Sequence, residues 1–287
     1  MPRVFSELYH PLQWRTGIGS DWFAAGYAGA ERREVTVYDN DSGDERGRFA
    51  LSLARFGIDL GQPWGEFGEL RIGATHVIVR GTPEILSSTY RGVSQGVTVN
   101  ESGLRLGAVV DQLDYANFPQ RGYRVQAESV IGSRRTSLTG DARSSFTRLE
   151  LQATAVATFG VHTVNGHLRA QRAGGADISG VGRYSLGGFH QLSGYRSGQL
   201  DGNEVLFGRV TYYQRLASAP LLTRGLFVGG SLEAGNAWSG GSKLSLSDLR
   251  SGSSLFIGAD TGLGPLYLGL TYAPRGSSGL YLFLGRP

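Results

Sequence analysis

The stretch "NEVLFGRVTYYQRL", residues 203–216, decides how this chain folds. Leu206, Gly208, Val210 and Tyr212 fall on one face of an extended backbone, and Arg209, Thr211, Tyr213 and Arg215 on the other. Side chains of a strand alternate between faces, so the segment reads as a strand with one apolar and one polar side. The pattern recurs. In "FTRLELQATA", residues 146–155, Leu149, Leu151 and Ala153 oppose Arg148, Glu150 and Gln152. In "PLYLGLTYAP", residues 265–274, Leu266, Leu268, Leu270 and Tyr272 oppose Tyr267, Gly269 and Thr271. Comparable segments lie near 4–12, 22–38, 49–60, 68–80, 102–113, 122–132, 162–173, 226–238, 254–263 and 279–285. Helical periodicity is nearly absent. The expectation is an all-β chain of about thirteen antiparallel strands, each near the ~9–11 residues of a tilted membrane strand.

The 287 residues include 45 glycines and no cysteine, which removes disulfides and thiolate metal sites. The net charge of +4 comes almost entirely from arginine, Lys243 being the single lysine. These arginines are scattered singly, so no nucleic-acid partner is expected. No apolar run approaches the ~20 residues of a membrane helix, and the amino terminus lacks the apolar core of a signal peptide. A transmembrane β-barrel escapes both tests, because its strands are apolar only at every second residue.

The polar face separates a soluble sheet from a membrane one. A β-sandwich turns its apolar faces inward. A membrane barrel does the reverse: lipid touches the apolar face and charged groups line a wet lumen. Arg148, Glu150, His167, Arg169, Arg209 and Arg215 sit mid-strand, opposite Leu, Val, Ala, Gly and Tyr. That arrangement favours the antiparallel transmembrane barrel over its rival, a soluble secreted β-sandwich binding module. Residues 81–101 and 240–253 read as long loops, and no second domain is visible across 1–287.

Two motifs stand out. "DQLDYANFPQRG", residues 111–122, places Asp111 and Asp114 before Phe118-Pro119, with Gly122 following. Pro119 cannot donate to a ladder, so the chain turns there, and the bland reading is an ordinary hairpin turn. "LGGFHQLSGYRSG", residues 186–198, is too glycine-rich for a strand and too aromatic for a solvated turn; "SLEAGNAW", residues 231–238, follows it. Together these resemble the superfamily of outer-membrane assembly and secretion barrels that contains the BamA insertases and the two-partner-secretion (TpsB) transporters, also called the bacterial surface antigen family. The family's Asp-x-x-Asp-x-x-x-Phe-Pro-x-x-Gly turn is matched by Asp111, Asp114, Phe118, Pro119 and Gly122. Its inward-folded loop ending in Arg-Gly-Phe/Tyr is matched by Leu192, Ser193, Gly194 and Tyr195, and its wall motif by Glu233 and Gly235. Within the superfamily, "LGGFHQLSGYR", "FVGGSLEAGNAW" and "GLYLFLGRP" look most like the barrel of patatin-like phospholipase autotransporters of the PlpD type, in type V secretion.

The resemblance implies that residues 186–198 are a lid tucked into the lumen, with Phe189 and Tyr195 packed on lumen side chains and a basic group paired with a wall acid. Two departures matter: Ser193 replaces the usual lid arginine, and Glu233 the usual wall aspartate. Patatin-linked members commonly carry the serine. Arg196 is the candidate replacement for the lost cation, with Glu233 as its first expected partner and Asp260, in "FIGADTG", as its second. The likeness starts at about the fourth of the family's sixteen strands. The chain is therefore expected to be a partial outer-membrane barrel, lacking the first strands, the POTRA domain and the catalytic patatin domain. Thirteen strands cannot close an all-antiparallel barrel, because the first and last would run parallel, and an open edge in lipid leaves backbone groups unpaired.

The resemblance implies a translocator or anchor that carries an N-terminal lipase domain to the surface, with a BamA- or TamA-like barrel that assists insertion of other barrels as the alternative. It further implies outer-membrane lipid, the chain's own passenger and POTRA domains, and the barrel assembly machinery as partners. No catalysis is expected from this chain: the nucleophile elbow of the patatin domain, a Gly-x-Ser-x-Gly serine between strand and helix, is expected to be missing, and "DGN" at 201–203 has no strand-bound serine to work with. His10, His76, His162, His167 and His190 have no Cys or carboxylate partners at metal-ligand spacing, so neither a metal nor a cofactor is expected.

Overall fold

A computed structural model describes residues 3–12, 22–88, 90, 92, 94–140, 142–175, 183–216, 223–239 and 245–285. The strands are β1 (Arg3–Pro11), β2 (Phe23–Tyr38), β3 (Glu45–Trp64), β4 (Gly68–Leu86), β5 (Val97–Asp111), β6 (Gly122–Thr136), β7 (Arg143–Phe159), β8 (His162–Gly175), β9 (Tyr184–Leu186), β10 (Leu200–Gly202), β11 (Glu204–Arg215), β12 (Thr223–Trp238), β13 (Arg250–Thr261), β14 (Gly264–Tyr272) and β15 (Ser278–Leu284). Thirteen of them form one sheet in the order β1 to β8, then β11 to β15, while β9 and β10 pair separately. Every sheet neighbour is antiparallel, so β1 and β15 run the same way and, among the described residues, are not paired with each other.

Alternation explains the architecture. Along β11, Tyr213, Thr211, Phe207 and Val205 are buried while Val210 and Tyr212 are exposed. Register carries that parity from strand to strand: Arg209 faces His167 on β8 and Glu233 on β12, and Glu233 faces Gly252 on β13. One face of the whole sheet is therefore charged, aromatic and enclosed. The other exposes Ile58, Leu104, Ile131, Leu149, Leu232, Leu255, Leu270 and Leu282. A water-soluble sheet would hide that aliphatic band; a membrane barrel turns it to lipid.

The two ends differ. At one, called here the turn end, β3–β4, β7–β8 and β13–β14 are joined by residues 65–67, 160–161 and 262–263. The opposite lid end carries the longer connection 176–203, which includes β9 and β10. Strands β2 to β4 run to 16, 20 and 19 residues, well beyond the expected span. Their ladder continues past the apolar band into a β2–β3 hairpin that stands above the lid end. Hence the expected loop at 81–101 shrinks to 87–96, and Arg250 to Ser253, expected in a loop, lie in β13. In both cases backbone pairing persists after the apolar pattern that signals a strand has stopped.

Candidate functional site

The lid enters the barrel through a strand after all: Leu186, the first residue of the lid motif, lies in β9, paired with Leu200 of β10. It then folds against the wall formed by β11 to β15. Leu192 and Tyr195 join Leu186, Leu200, Phe207 and Ala273 in one buried cluster. Glycines on the wall make room. A Cβ on Gly252 would lie 2.3 Å from the Ser193 carbonyl, and one on Gly235 would lie 3.0 Å from Leu186 Cδ2. Gly194 at the tip has φ +90, which any larger residue adopts only with strain.

Glu233 holds the tip. Its Oε2 accepts from the backbone N–H of Leu192 at 2.9 Å and of Ser193 at 2.5 Å. Its Oε1 accepts from Ser193 Oγ at 2.9 Å and from Ser231 Oγ at 2.6 Å. Ser193 Oγ in turn accepts from the His190 N–H at 3.1 Å. Ser193 is fully buried and Glu233 almost so. A short lid residue therefore meets a long wall acid, and the contact is made by charge-assisted hydrogen bonds rather than an ion pair.

The expected Arg196 pairing is not formed. The Glu233 carboxylate is occupied by the tip, Asp260 accepts from Asn117 Nδ2 at 3.1 Å, and the exposed Arg196 guanidinium lies 5.6 Å from the Tyr38 ring centroid. The cations that grip the lid come from the wall instead. Arg209 Nη1 donates to the His190 carbonyl at 2.5 Å, and Arg169 donates to Gln191 Oε1 at 2.9 Å and to the Ser185 carbonyl. Sequence reading placed both arginines in the lumen but not on the lid, because a bond to a backbone carbonyl leaves no pairing signal in the sequence.

The turn motif folds inward too. Asp114 Oδ1 accepts from the N–H groups of Gln120 at 2.9 Å and Arg121 at 3.2 Å, and Asp111 Oδ1 from Leu113 N–H at 3.3 Å. Gly122 has φ +103, and a Cβ there would lie 1.9 Å from the Gln112 carbonyl. The Pro119 carbonyl accepts from the Tyr213 hydroxyl. Phe118, itself at φ 45, projects across the lumen, stacks on Phe227 with centroids 4.1 Å apart, and sits over Gly258. Its second neighbour, Tyr267 at 5.2 Å, also contacts Phe189 of the lid at 5.5 Å. Phe118 and Phe189 thus share one buried cluster with Tyr213, Phe227, Phe256 and Tyr267. The two motifs, separate in sequence, meet inside the barrel.

The β2–β3 tip covers the lid from outside. Asn40 Nδ2 donates to the Asp201 carbonyl at 3.2 Å, and the Asp201 N–H returns a bond to Asn40 Oδ1 at 3.4 Å. Arg250 bridges Asp41, at 2.5 Å, and the Tyr195 ring, at 5.9 Å. Within this tip Asp39 accepts from the N–H groups of Ser42 and Asp41 and pairs with Arg46 at 2.9 Å. The Ser42 N–H, the Arg46 side chain and the Asp41 N–H together hold its carboxyl well below the usual carboxylate range.

The lumen wall on the other side stays charged. Arg105 bridges Asp59 at 2.7 Å and Glu128 at 2.8 Å, and Glu101 bridges Arg134 at 2.6 Å and Arg148 at 3.0 Å. Between that wall and the lid lies a cavity of about 1310 Å³. Among the described residues no group of three or more His, Asp or Glu is placed to hold a metal ion. One Gly-x-Ser-x-Gly pentapeptide does occur, Gly92 to Gly96, against the expectation of none; Ser94 lies exposed in the loop that leads into β5, with no helix after it.

No curated protein matches this sequence. Among solved structures, BamA from Haemophilus ducreyi lacking POTRA domains 1–3 superposes with a TM-score of 0.70 at 11% identity, covering 98% of this chain and 60% of that one. CdiB from Acinetobacter baumannii gives 0.55 at 11% identity, covering 92% of this chain and 48% of that one. The chain thus spans about 60% of the BamA chain and about half of the CdiB chain. A family model for the Omp85 superfamily domain matches residues 8–278, and the chain belongs to the Omp85 superfamily.

Proposed function

We propose that this chain is the outer-membrane translocator barrel of a patatin-like phospholipase autotransporter, anchoring a lipase domain and carrying it to the cell surface. The observation that carries this reading is the lid tip: Ser193, the residue type common in patatin-linked members, is buried against Glu233 and held by hydrogen bonds alone. Such a lid leaves the wall by breaking hydrogen bonds to a single carboxylate, with no cation of its own to separate from it. In this reading the barrel performs no chemistry, and its partners are membrane lipid, its own passenger and POTRA domains, and the barrel assembly machinery. The test is protease accessibility of the passenger on intact cells that produce the protein from its full gene. Shaving of a lipase domain from the surface is the expected result; a passenger protected until the outer membrane is broken would overturn it.

A second reading, a barrel that assists insertion of other barrels, draws on the larger fold likeness to BamA than to CdiB. It predicts tandem POTRA domains in the full gene and loss of other barrels from the membrane on depletion.

A further inference from the structure

The outward face of the barrel ends, at the lid end, in a row of arginines. Outward positions run Ala28, Ala30, Arg32 along β2; Ile78, Arg80 along β4; Ile131, Ser133, Arg135 along β6; and Leu149, Thr147, Ser145, Arg143 along β7. All four arginines are exposed. Arg32 and Arg80 flank Ser52 from its two sides, which separates their backbones by about 10 Å. Arg135 stands directly opposite Arg143.

Direct cross-strand pairing of like charges is unfavourable, and a guanidinium cannot relieve it by losing its proton. Two neighbouring arginines do have carboxylates: Arg48 reaches Glu45 at 2.6 Å and Glu34 at 3.9 Å, and Arg172 reaches Glu204 at 3.0 Å. Arg32, Arg80, Arg135 and Arg143 take part in no salt bridge among the described residues. The turn-end rim is built differently, with Trp64, Phe67, Tyr123, Phe159 and Leu263 exposed there. At the lid-end rim, therefore, outward strand positions carry arginines with no salt bridge among the described residues, two of them directly opposite each other, where the aliphatic band stops and a leaflet's headgroups begin.

We propose that Arg32, Arg80, Arg135 and Arg143 form a docking strip for the phosphate groups of an anionic lipid in the leaflet at the lid end. The planar guanidinium fork suits phosphate, and a lipid phosphate bound between Arg135 and Arg143 supplies the missing counter-charge. This rests on the membrane reading of the barrel given above.

The experiment folds the protein, produced from its full gene, into vesicles of phosphatidylcholine alone and of phosphatidylcholine containing phosphatidylglycerol, at low and high salt, with heat-modifiable gel mobility as the measure of folding. Retained lipid is then identified by native mass spectrometry. The parent is expected to enrich phosphatidylglycerol, with enrichment falling as salt rises. Each arginine contributes about fivefold, so R32Q/R80Q/R135Q/R143Q is expected to lose more than about tenfold of the enrichment. The control R121Q/R224Q, which removes the same kind of charge at the turn end, should keep it. Unchanged enrichment in the quadruple variant, or equal loss in the control, overturns the strip. Inorganic phosphate at matched ionic strength should leave the enrichment intact; if it erases it, the arginines form a phosphate site and the lipid surface is refuted. Failure to fold even in phosphatidylcholine would sink the membrane reading and the strip with it, whereas folding without enrichment sinks the strip alone.

Discussion

Replacing Glu233 by Gln tests the lid at its anchor. The carboxylate accepts four hydrogen bonds, two from backbone N–H groups and two from the hydroxyls of Ser193 and Ser231. A glutamine in the same place keeps its carbonyl for Leu192 and Ser193 N–H and turns its amide toward the hydroxyls, which then accept. Ser231 can then donate to Ser254 Oγ, while the buried Ser193 O–H loses its acceptor, so the charge and one hydroxyl bond are lost. Hydrogen bonds to a charged group contribute about 1.5–3 kcal/mol against about 0.5–1.5 for neutral ones, so the two backbone bonds together weaken by about 2–3 kcal/mol. The assay is amide hydrogen exchange at Leu192 and Ser193, which reports the free energy of local lid opening. At about 1.4 kcal/mol per factor of ten, exchange there should accelerate roughly 30- to 140-fold. The amides of Val210 and Tyr212 in the wall should keep their protection. Exchange at the tip within about threefold of the parent would refute the anchoring role. Equal loss of protection along β11 would show that Glu233 holds the barrel rather than the lid.

Gly252→Ala adds a methyl 2.3 Å from the Ser193 carbonyl, so the lid should be pushed off the wall with a loss of about 1–3 kcal/mol, seen as faster proteolysis within 186–198. Phe118→Ala should lower the temperature at which the heat-modifiable band is lost, the cavity term being about 3–5 kcal/mol. In a double-mutant cycle with Phe189→Ala the two should couple by about 0.5–1.5 kcal/mol through Tyr267, and strict additivity would show that turn and lid are independent. The Asp39 carboxyl is depressed in the folded tip, so its contribution is full above the unfolded value of about 3.9 and disappears as pH falls below it. The distance between spin labels at positions 40 and 201 should accordingly stay short at neutral pH and lengthen only below about pH 4, whereas lengthening already near neutrality would point to another group.

What the sequence revealed follows from local rules. Period-two alternation marks a strand wherever one side is wet and the other apolar, so Leu206 to Arg215 was legible without any partner. The turn and lid motifs were visible because aspartate, proline and glycine at fixed offsets impose backbone geometry. Contacts set by the curvature of the sheet were not. Asn40 meets Asp201 across 161 residues and Arg250 meets Asp41 across 209, and neither pairing leaves a periodic trace. Arg196 was misassigned for a related reason. Its charge argued for an acid, while the chain bends after Tyr195 and directs it outward to Tyr38. The meeting of Phe118 with Phe189 through Tyr267 likewise needed the barrel to bring opposite walls together.

The central claim is that the apolar faces meet lipid and the charged faces line the lumen. Because the chain has no cysteine, single cysteines at positions 205 to 213 of β11, each carrying a spin label, read both environments directly in a bilayer. The account predicts strict alternation: labels at 206, 208, 210 and 212 relaxed by lipid-dissolved oxygen, and labels at 205, 207, 209, 211 and 213 shielded from it. Relaxation of the even positions by a water-soluble reagent instead would place that face in water and contradict the barrel.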